Sequence, residues 1–488
     1  MNTLDTLRFN NTYARLPEIF YRPVKPTALP APYLVSFNET AAKLIGLDPQ
    51  EAAKPEFVEY FTGNKLLPNS EPISAIYAGH QFGTFVPQLG DGRAILLGEA
   101  VNETGERFDI QLKGAGMTPF SRMGDGRAVL RSTIREYLCS EAMHALGIPT
   151  TRSLCITGSD APVYRETVET AAVLTRLAPT HVRFGSLELF YYRGQYEQVR
   201  QLADYIIAKF YPQHADAENK YLEFLREVIH RTAKLIAAWQ SIGFAHGVMN
   251  TDNMSIIGLT IDYGPFGFLD EYDAGFICNH SDYAGRYAFD QQPNVGLWNL
   301  YKLAQTLVPL VEPEEAEAAL DEYQPVFIET FFKLMRGKLG LESEQPEDKE
   351  LIFDLLEILQ TNQIDYTRFF RRLGDFKKTA DEKNDLLQAM FLDSSSFDDW
   401  AEKYKNRLAN EKSVDKKRRG RMLNVNPKYI LRNHIAQGAI EEAEQGDYAG
   451  TDMLLKVLQQ PFDEQPEMER FAEPPVEGAK RIVVSCSS

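Results

Sequence analysis

The sequence predicts an α+β fold, and three observations carry that reading. From about residue 71 to 130 the chain is rich in glycine and in short β-type runs. Beyond about residue 186, apolar residues recur at the spacing of buried helices. The 488 residues amount to about three domains of ordinary size, enough to bury a core without disulfides.

Taken in order, residues 1–70 read as an irregular N-terminal extension, because Pro17, Pro23, Pro26, Pro30 and Pro32 interrupt any long helix. Residues 71–185 form the strand-rich unit. Ala94–Leu97 and Phe108–Leu112 read as strands, joined by a turn at Asn102-Glu103-Thr104-Gly105. A short echo, Gly90-Asp91-Gly92-Arg93-Ala94-Ile95-Leu96 and Gly124-Asp125-Gly126-Arg127-Ala128-Val129-Leu130, is too brief for a repeat architecture. A helix is expected from Thr133 to Leu146, opened by a Thr133/Glu136 capping box and closed by Gly147-Ile148-Pro149. Residues 186–460 form a largely helical unit. Leu222, Leu225, Val228, Ile229, Leu235, Ile236 and Trp239 mark one buried amphipathic helix, and similar patterns cover Leu297–Val311, Tyr323–Met335 and Leu351–Leu359. The acidic stretches at 312–315 and 342–344 read as solvated connections, and the basic run Lys416–Arg421 as a solvated surface stretch. Residues 461–488 are Pro/Glu-rich at first and read as a loosely ordered tail that carries Cys486.

Composition narrows the function. Asp plus Glu number 69 against 52 Lys plus Arg, a net charge of −17. That balance argues against a nucleic-acid or anionic-membrane binder, though not against one local basic pocket. Apolar runs fall short of the roughly 18 residues of a membrane span. Met1-Asn2-Thr3-Leu4-Asp5 lacks the pattern of a signal peptide. The expected setting is the cytoplasm. The four cysteines, Cys139, Cys155, Cys278 and Cys486, contain no C-x-x-C pair, which argues against a cysteine zinc site.

The residues suited to chemistry are spread along the chain. The glycine turn Gly90-Asp91-Gly92-Arg93 would let backbone N–H groups approach a phosphate, or would simply make a hairpin turn. Lys113 ends a strand, where a lysine can act as a phosphate-pairing point charge or be an ordinary strand-end residue. Glu136 could hold Lys113 in an ion pair, a role that competes with the capping box. Asp125-Gly126 is either a turn or a nucleotide contact. Arg176 and Arg183 suit bidentate phosphate binding or surface ion pairs. The sharper signal is His246-Gly247-Val248-Met249-Asn250-Thr251-Asp252-Asn253, followed by Ile261-Asp262-Tyr263-Gly264. A short hairpin, Met254–Ile257 with Leu259–Ile261, would set Asn253 opposite Asp262. One amide oxygen and one carboxylate there would suit Mg²⁺ bridging nucleotide phosphates. Asp252 could take a proton from an incoming hydroxyl. His246 also reads as a core histidine bonded to backbone.

Glycine loop, strand lysine, helix glutamate, long helix, Asp/Asn loop and Asp-Tyr-Gly is the order of parts in a protein kinase. One departure matters: the position five residues before Asn253, where a kinase carries its base, is Val248. At these residues the sequence resembles the selenoprotein O (YdiU) family of pseudokinase-fold protein adenylyltransferases. The matching stretches are 77–83, 88–93, 111–114, 121–136, 176–185, 246–262, 426–429 and 446–448. The resemblance implies a kinase-like bilobal fold with N- and C-terminal extensions. It implies ATP held back to front, with AMP passed to Ser, Thr or Tyr hydroxyls of proteins and pyrophosphate released. By motif, Gly90, Gly92, Arg93, Lys113, Asp125, Gly126, Arg176 and Arg183 would contact ATP, with Glu136 orienting Lys113. Asn253 and Asp262 would hold Mg²⁺, and Asp252 would accept the proton. UTP with Mn²⁺ is reported for some members. Eukaryotic members carry selenocysteine where this chain has Cys486, so redox chemistry here would run through a thiol. Cys278, by its position soon after the catalytic segment, is the expected disulfide partner of Cys486, which otherwise reads as a bystander thiol. Two other readings stay open, a conventional phosphotransferase and a non-catalytic nucleotide-binding scaffold. The sequence leaves the oligomeric state open, monomer included.

Overall fold

A computed structural model of the protein describes residues 1–378, 384–392, 394–476, 482 and 484. Its strand-rich part centres on an eight-stranded antiparallel sheet. Two of its strands come from the N-terminal segment: β1 (Tyr21–Pro23) and β2 (Tyr33–Phe37) lie at opposite ends of the strand path. The expectation of an irregular 1–70 extension is therefore corrected. Pro17, Pro26, Pro30 and Pro32 sit between elements and Pro23 ends β1, and the segment also carries helices α1 (Glu39–Leu44) and α2 (Pro55–Thr62). Asn38 caps α1 by accepting from the amides of Thr40 and Ala41, and Gly63, at φ 87°, ends α2.

β3 (Ile73–Ala75) pairs with β1 and with β6 (Ala94–Val101), while β4 (Gly79–Gln81) and β5 (Thr84–Val86) form a separate hairpin. β6 and β7 (Arg107–Lys113) enclose the expected turn, where the Asn102 side chain accepts from the amides of Thr104 and Glu106. A two-residue strand β8 (Ala128–Val129) precedes α3 (Leu130–Ala145); β9 (Arg152–Tyr164) and β10 (Val168–Ala178) complete the sheet.

Alternation along β7 and β10 explains the site. Ile110 and Leu112 of β7 face a core shared with Phe57, Phe61 and Ala41 from the N-terminal helices. Lys113 falls on the opposite face, with Asp109 and Gln111. On β10, Ala172 and Leu174 pack against Ile134 and Leu138 of α3, and the period of two brings Arg176 to the α3 side as well.

α3 starts three residues earlier than expected and has no capping box. Val129 is its N-cap, and the Thr133 hydroxyl donates instead to the Val129 carbonyl at 2.8 Å. Glu136 is thus two turns into the helix, free for other partners.

From Phe184 onward the described chain is mostly helical: α4 (Phe184–Tyr192), α5 (Tyr196–Phe210), α6 (Lys220–Ile242), α7 (Gln292–Leu307) and further helices to Leu458. α6 is capped by Asn219 and stopped by Gly243 at φ 76°. Three local expectations are corrected. Residues 254–261 do not form a hairpin; Ser255 bridges to Arg183 and Thr260 to Thr150, so this segment is anchored to the strand-rich part. Glu312 and Pro313 open a helix, Pro313–Leu320. The basic run is solvated at Lys416, Lys417 and Arg419, as expected, but it lies in a helix, Asp415–Leu423, where Arg418 is fully buried, bonded to Asp415 at 2.7 Å and to the Phe376 carbonyl. Part of the tail is fixed too: Pro466–Phe471 is a 3₁₀ turn, and Lys428 pairs with Glu464 at 2.6 Å and with Glu469. Cys486, and with it the expected Cys278 pairing, lies outside the described residues. Among those residues, no helix is long and apolar enough to cross a membrane. The fold class is α+β.

Candidate active site

A cavity of about 610 Å³ opens between the strand-rich part and the loops at 248–253 and 262–265. Eleven of the twelve sequence-predicted site residues line it: Gly90, Gly92, Arg93, Lys113, Asp125, Gly126, Arg176, Arg183, Asp252, Asn253 and Asp262. The twelfth, Glu136, sits behind Lys113.

The glycine turn is packed tightly. Gly90 has φ 127°, and a Cβ there would lie 2.6 Å from the Phe120 ring; one on Gly92 would lie 2.8 Å from the Phe120 carbonyl oxygen. Hydroxyls of Ser74 and Thr118 both donate to the Asp91 carbonyl, at 2.9 and 2.7 Å. The second glycine element is equally constrained, since a Cβ on Gly126 would fall 2.1 Å from the Gly116 oxygen. Asp125 is committed as a turn residue. It accepts from the Arg127 amide at 2.9 Å and is held by Arg165, also at 2.9 Å, which keeps its carboxyl below the usual range.

Behind the cavity runs a chain of buried ion pairs. Lys113 Nζ meets Glu136 at 2.5 Å. The other oxygen of Glu136 meets Arg176 at 2.6 Å. Arg176 reaches Asp262 at 2.7 Å, and Arg183 reaches the second Asp262 oxygen at 2.5 Å. Arg183 also donates to the Asp252 carbonyl at 2.6 Å and stacks over the Tyr77 ring, 4.6 Å from its centroid. Burial would raise the Asp262 carboxyl, but Arg183, Arg176 and Lys113 hold it well below the ordinary value. Burial, reinforced by Arg176, pulls Lys113 down to about 8 despite Glu136. Asp262 has φ 56°, a left-handed conformation that few non-glycine residues adopt.

The Asp/Asn segment is fixed from both sides. His246 donates through Nε2 to the Ile261 carbonyl at 2.9 Å and accepts at Nδ1 from the Val248 amide, tying this loop to the residue before Asp262. This is the core-histidine role. Thr251–Asn253 form a 3₁₀ turn. The Asn253 amide donates to the Val248 carbonyl at 3.0 Å, so the backbone of the position that lacks the kinase base orients the asparagine. Its amide oxygen is left without a hydrogen bond among the described residues. Asp252 is buried. Its Oδ2 accepts from Gln81 at 3.2 Å, and Oδ1 points at Gly79, where a Cβ would come within 2.5 Å. Burial pushes the Asp252 carboxyl up to about 7, against the Gln81 hydrogen bond and Arg183, a range suited to a general base at neutral pH.

Asp262 and the uncommitted amide oxygen of Asn253 line the same cavity; both Asp262 oxygens are paired with Arg176 and Arg183, so a hard divalent ion held there would share that carboxylate with the two cations and complete its shell from phosphate and water. Among the described residues no group of three or more His, Cys, Asp or Glu side chains is arranged to hold a metal by itself.

Sequence reasoning gave no role to Gln81, Tyr77 or Arg165, although the first two lie in the matching stretch 77–83. Gln81 and Tyr77 lie far from the Asp252 loop in sequence, and only tertiary folding brings the β4–β5 hairpin onto it. Arg165 sits in the β9–β10 turn with no motif to mark it.

Cations and carboxylates gathered on one cavity are chemistry suited to phosphate groups, and similarity to known proteins gives the class, protein nucleotidyltransferases. A family model described as "Protein adenylyltransferase SelO" matches residues 3–459. Full-length relatives named "Protein nucleotidyltransferase YdiU" come from Myxococcus xanthus, 57% identical over 488 residues, and Thiobacillus denitrificans, 56% identical over 489, each alignment covering 100% of both chains. The chain belongs to the SelO (YdiU) family.

Proposed function

We propose that the protein transfers AMP from ATP to Ser, Thr or Tyr hydroxyls of other proteins and releases pyrophosphate. The observation that carries this reading is the buried series Lys113–Glu136–Arg176–Asp262–Arg183 on the cavity that also contains Asp252. The Lys113–Glu136 pair, strand to helix, is the arrangement that positions phosphates in kinases, and it supports a kinase-like bilobal organisation with extensions at both ends. The difference from a kinase is which phosphorus is attacked. In this reading ATP lies back to front, its β- and γ-phosphates toward Lys113, Arg176 and Arg183.

In the transfer step the acceptor oxygen forms a bond to the α-phosphorus as the bond from that phosphorus to the β-bridging oxygen breaks. The hydroxyl proton passes to the Asp252 carboxylate, and the electron pair leaves with pyrophosphate. Gln81 holds Asp252 in place, and the cations receive the developing charge. Asn253 and Asp262 would hold Mg²⁺, or Mn²⁺, which supplies charge neutralisation on the phosphates. UTP fits the same polyphosphate contacts. Gly90, Gly92, Arg93, Asp125 and Gly126 belong to the nucleotide wall in this reading. A cytoplasmic setting, protein rather than nucleic-acid or membrane partners, and a link to redox state through Cys486 are parts of the same proposal that rest on the sequence.

ATP labelled separately at the α- and γ-phosphate tests it. Label from the α position alone should appear on protein. Label from the γ position would establish a conventional phosphotransferase, and nucleotide binding without either transfer a non-catalytic scaffold.

A further inference from the structure

Most cations on the cavity are already engaged. Lys113, Arg176 and Arg183 are in the ion-pair series, Arg165 is held by Asp125, and Arg127 donates to the carbonyls of Thr27 and Ala28 at 2.9 and 3.2 Å. Two lining arginines have no side-chain hydrogen bond or ion pair among the described residues: Arg93, expected to contact nucleotide, and Arg122. A triphosphate brings about four negative charges and one divalent ion cancels two. The remainder is best met by cations that need not first give up a carboxylate.

Arg122 carries a second mark. Its φ is 53°, in the left-handed region where glycine is the relaxed choice. The loop around it is pinned: the Ser121 hydroxyl donates to the Gly92 carbonyl, the Thr118 amide donates to Ser121 Oγ at 2.8 Å, and the Gly124 amide donates to the Ser121 carbonyl at 2.8 Å. The fold thus holds an exposed arginine in a left-handed conformation beside the glycine turn, its side chain without a hydrogen bond or ion pair among the described residues. A cation held on the cavity wall in this way is free to meet an anionic ligand.

We propose that Arg122 is a further phosphate-binding residue that grips the β,γ end of the nucleotide and then the departing pyrophosphate. It lies on the wall formed by the two Gly-Asp-Gly-Arg turns, and that wall leads to Lys113: Ser121 is bonded to Gly92, the Arg93 carbonyl accepts from the Gly114 amide at 2.7 Å, and Ala94 pairs with Lys113 in the sheet. The assignment rests on the nucleotide reading of the cavity. It adds a guanidinium whose fork matches phosphate oxygens.

Calorimetric titration of the full-length protein with pyrophosphate and, separately, with AMP, both with Mg²⁺, tests it. Arg122→Gly removes the charge and relieves the backbone, so its melting temperature should equal or exceed that of wild type. Its affinity for pyrophosphate should fall at least tenfold, with AMP affinity held within twofold and Arg122→Lys falling between. Unchanged pyrophosphate affinity in Arg122→Gly, or an equal loss for AMP, overturns the assignment while leaving the nucleotide site intact. A wild-type protein that binds neither ligand overturns the nucleotide reading and the role of Arg122 with it.

Discussion

Glu136 is the residue whose removal tests the site most directly. Its carboxylate is 1% exposed and neutralises two buried cations, Lys113 at 2.5 Å and Arg176 at 2.6 Å. Arg176 keeps Asp262 when Glu136 is lost, but Lys113 has no second carboxylate within ion-pair distance among the described residues. Breaking a buried pair by deleting one partner costs about 3–5 kcal/mol. Because one of the two cations stays paired, Glu136→Ala should cost about 3 kcal/mol. At a denaturant slope of about 3 kcal/mol per molar, that moves the urea midpoint down by roughly 1 M. Glu136→Gln keeps volume and one acceptor and should lose about half as much. The variant also has a signature in activity. Lys113 is already pulled to about 8 by burial with Glu136 beside it. Without that carboxylate it drops further, so the variant's Lys113 loses its proton at lower pH than wild type does. The ratio of variant to wild-type transfer of α-label from ATP should therefore shrink as pH rises from 7 to 8. A Glu136→Ala protein with the wild-type urea midpoint and a pH-independent activity ratio would falsify the claim that this carboxylate sustains the buried cations.

Three other substitutions separate the remaining roles. Asp262→Ala removes the expected metal ligand and the counter-charge of Arg176 and Arg183. Transfer should vanish, and α-label transfer at the wild-type rate would refute the assignment. Asp252→Asn should slow transfer by about 10²–10⁴-fold while nucleotide affinity, measured by calorimetry, stays within a few-fold of wild type; equal losses in both would remove Asp252 from the proton-transfer step. Lys338 lies outside the site and tests the packing. It is 3% exposed, 4.4 Å from the Phe370 ring centroid, and pushed by burial from 10.5 to about 7. Between those values the unfolded chain binds more protons than the folded one, so this residue's contribution to stability rises with pH from about 7 to 10.5. Lys338→Met should raise stability at pH 7 by at least about 1 kcal/mol and flatten that rise; a variant less stable at pH 7 than wild type would contradict this.

What the sequence showed, and what it hid, follows from the distance over which each feature is determined. The β6–β7 hairpin and α6 are set by local pattern and capping, so both are readable in the residues themselves. The site residues were readable as types because a lysine at a strand end or an Asp-Asn pair after a buried helix is a local signature. Their arrangement was not. Thr133 and Glu136 have the spacing of a capping box, yet the helix begins at Leu130, because Leu130, Ile134 and Leu138 belong to the buried core beneath the sheet. Tertiary burial outweighs the local signal there, and that shift turns Glu136 toward Lys113. The same competition decides the stretch after Asn253. Its alternation favours a hairpin, but Ser255 and Thr260 find backbone partners at Arg183 and Thr150.

That second outcome has a functional consequence. In a local hairpin, Asn253 and Asp262 would face each other through their own backbone pairing. In the fold, the alignment runs through His246, the Val248 carbonyl and Arg183. Arg183 bonds both the Asp252 carbonyl and the Asp262 carboxylate, so the expected base loop and the expected metal carboxylate are held by one buried cation. Such a cation is costly to desolvate and is retained only where its partners repay it. An ion pair that fixes two loops against each other does so, because transfer between bound groups depends on their separation to within about an ångström.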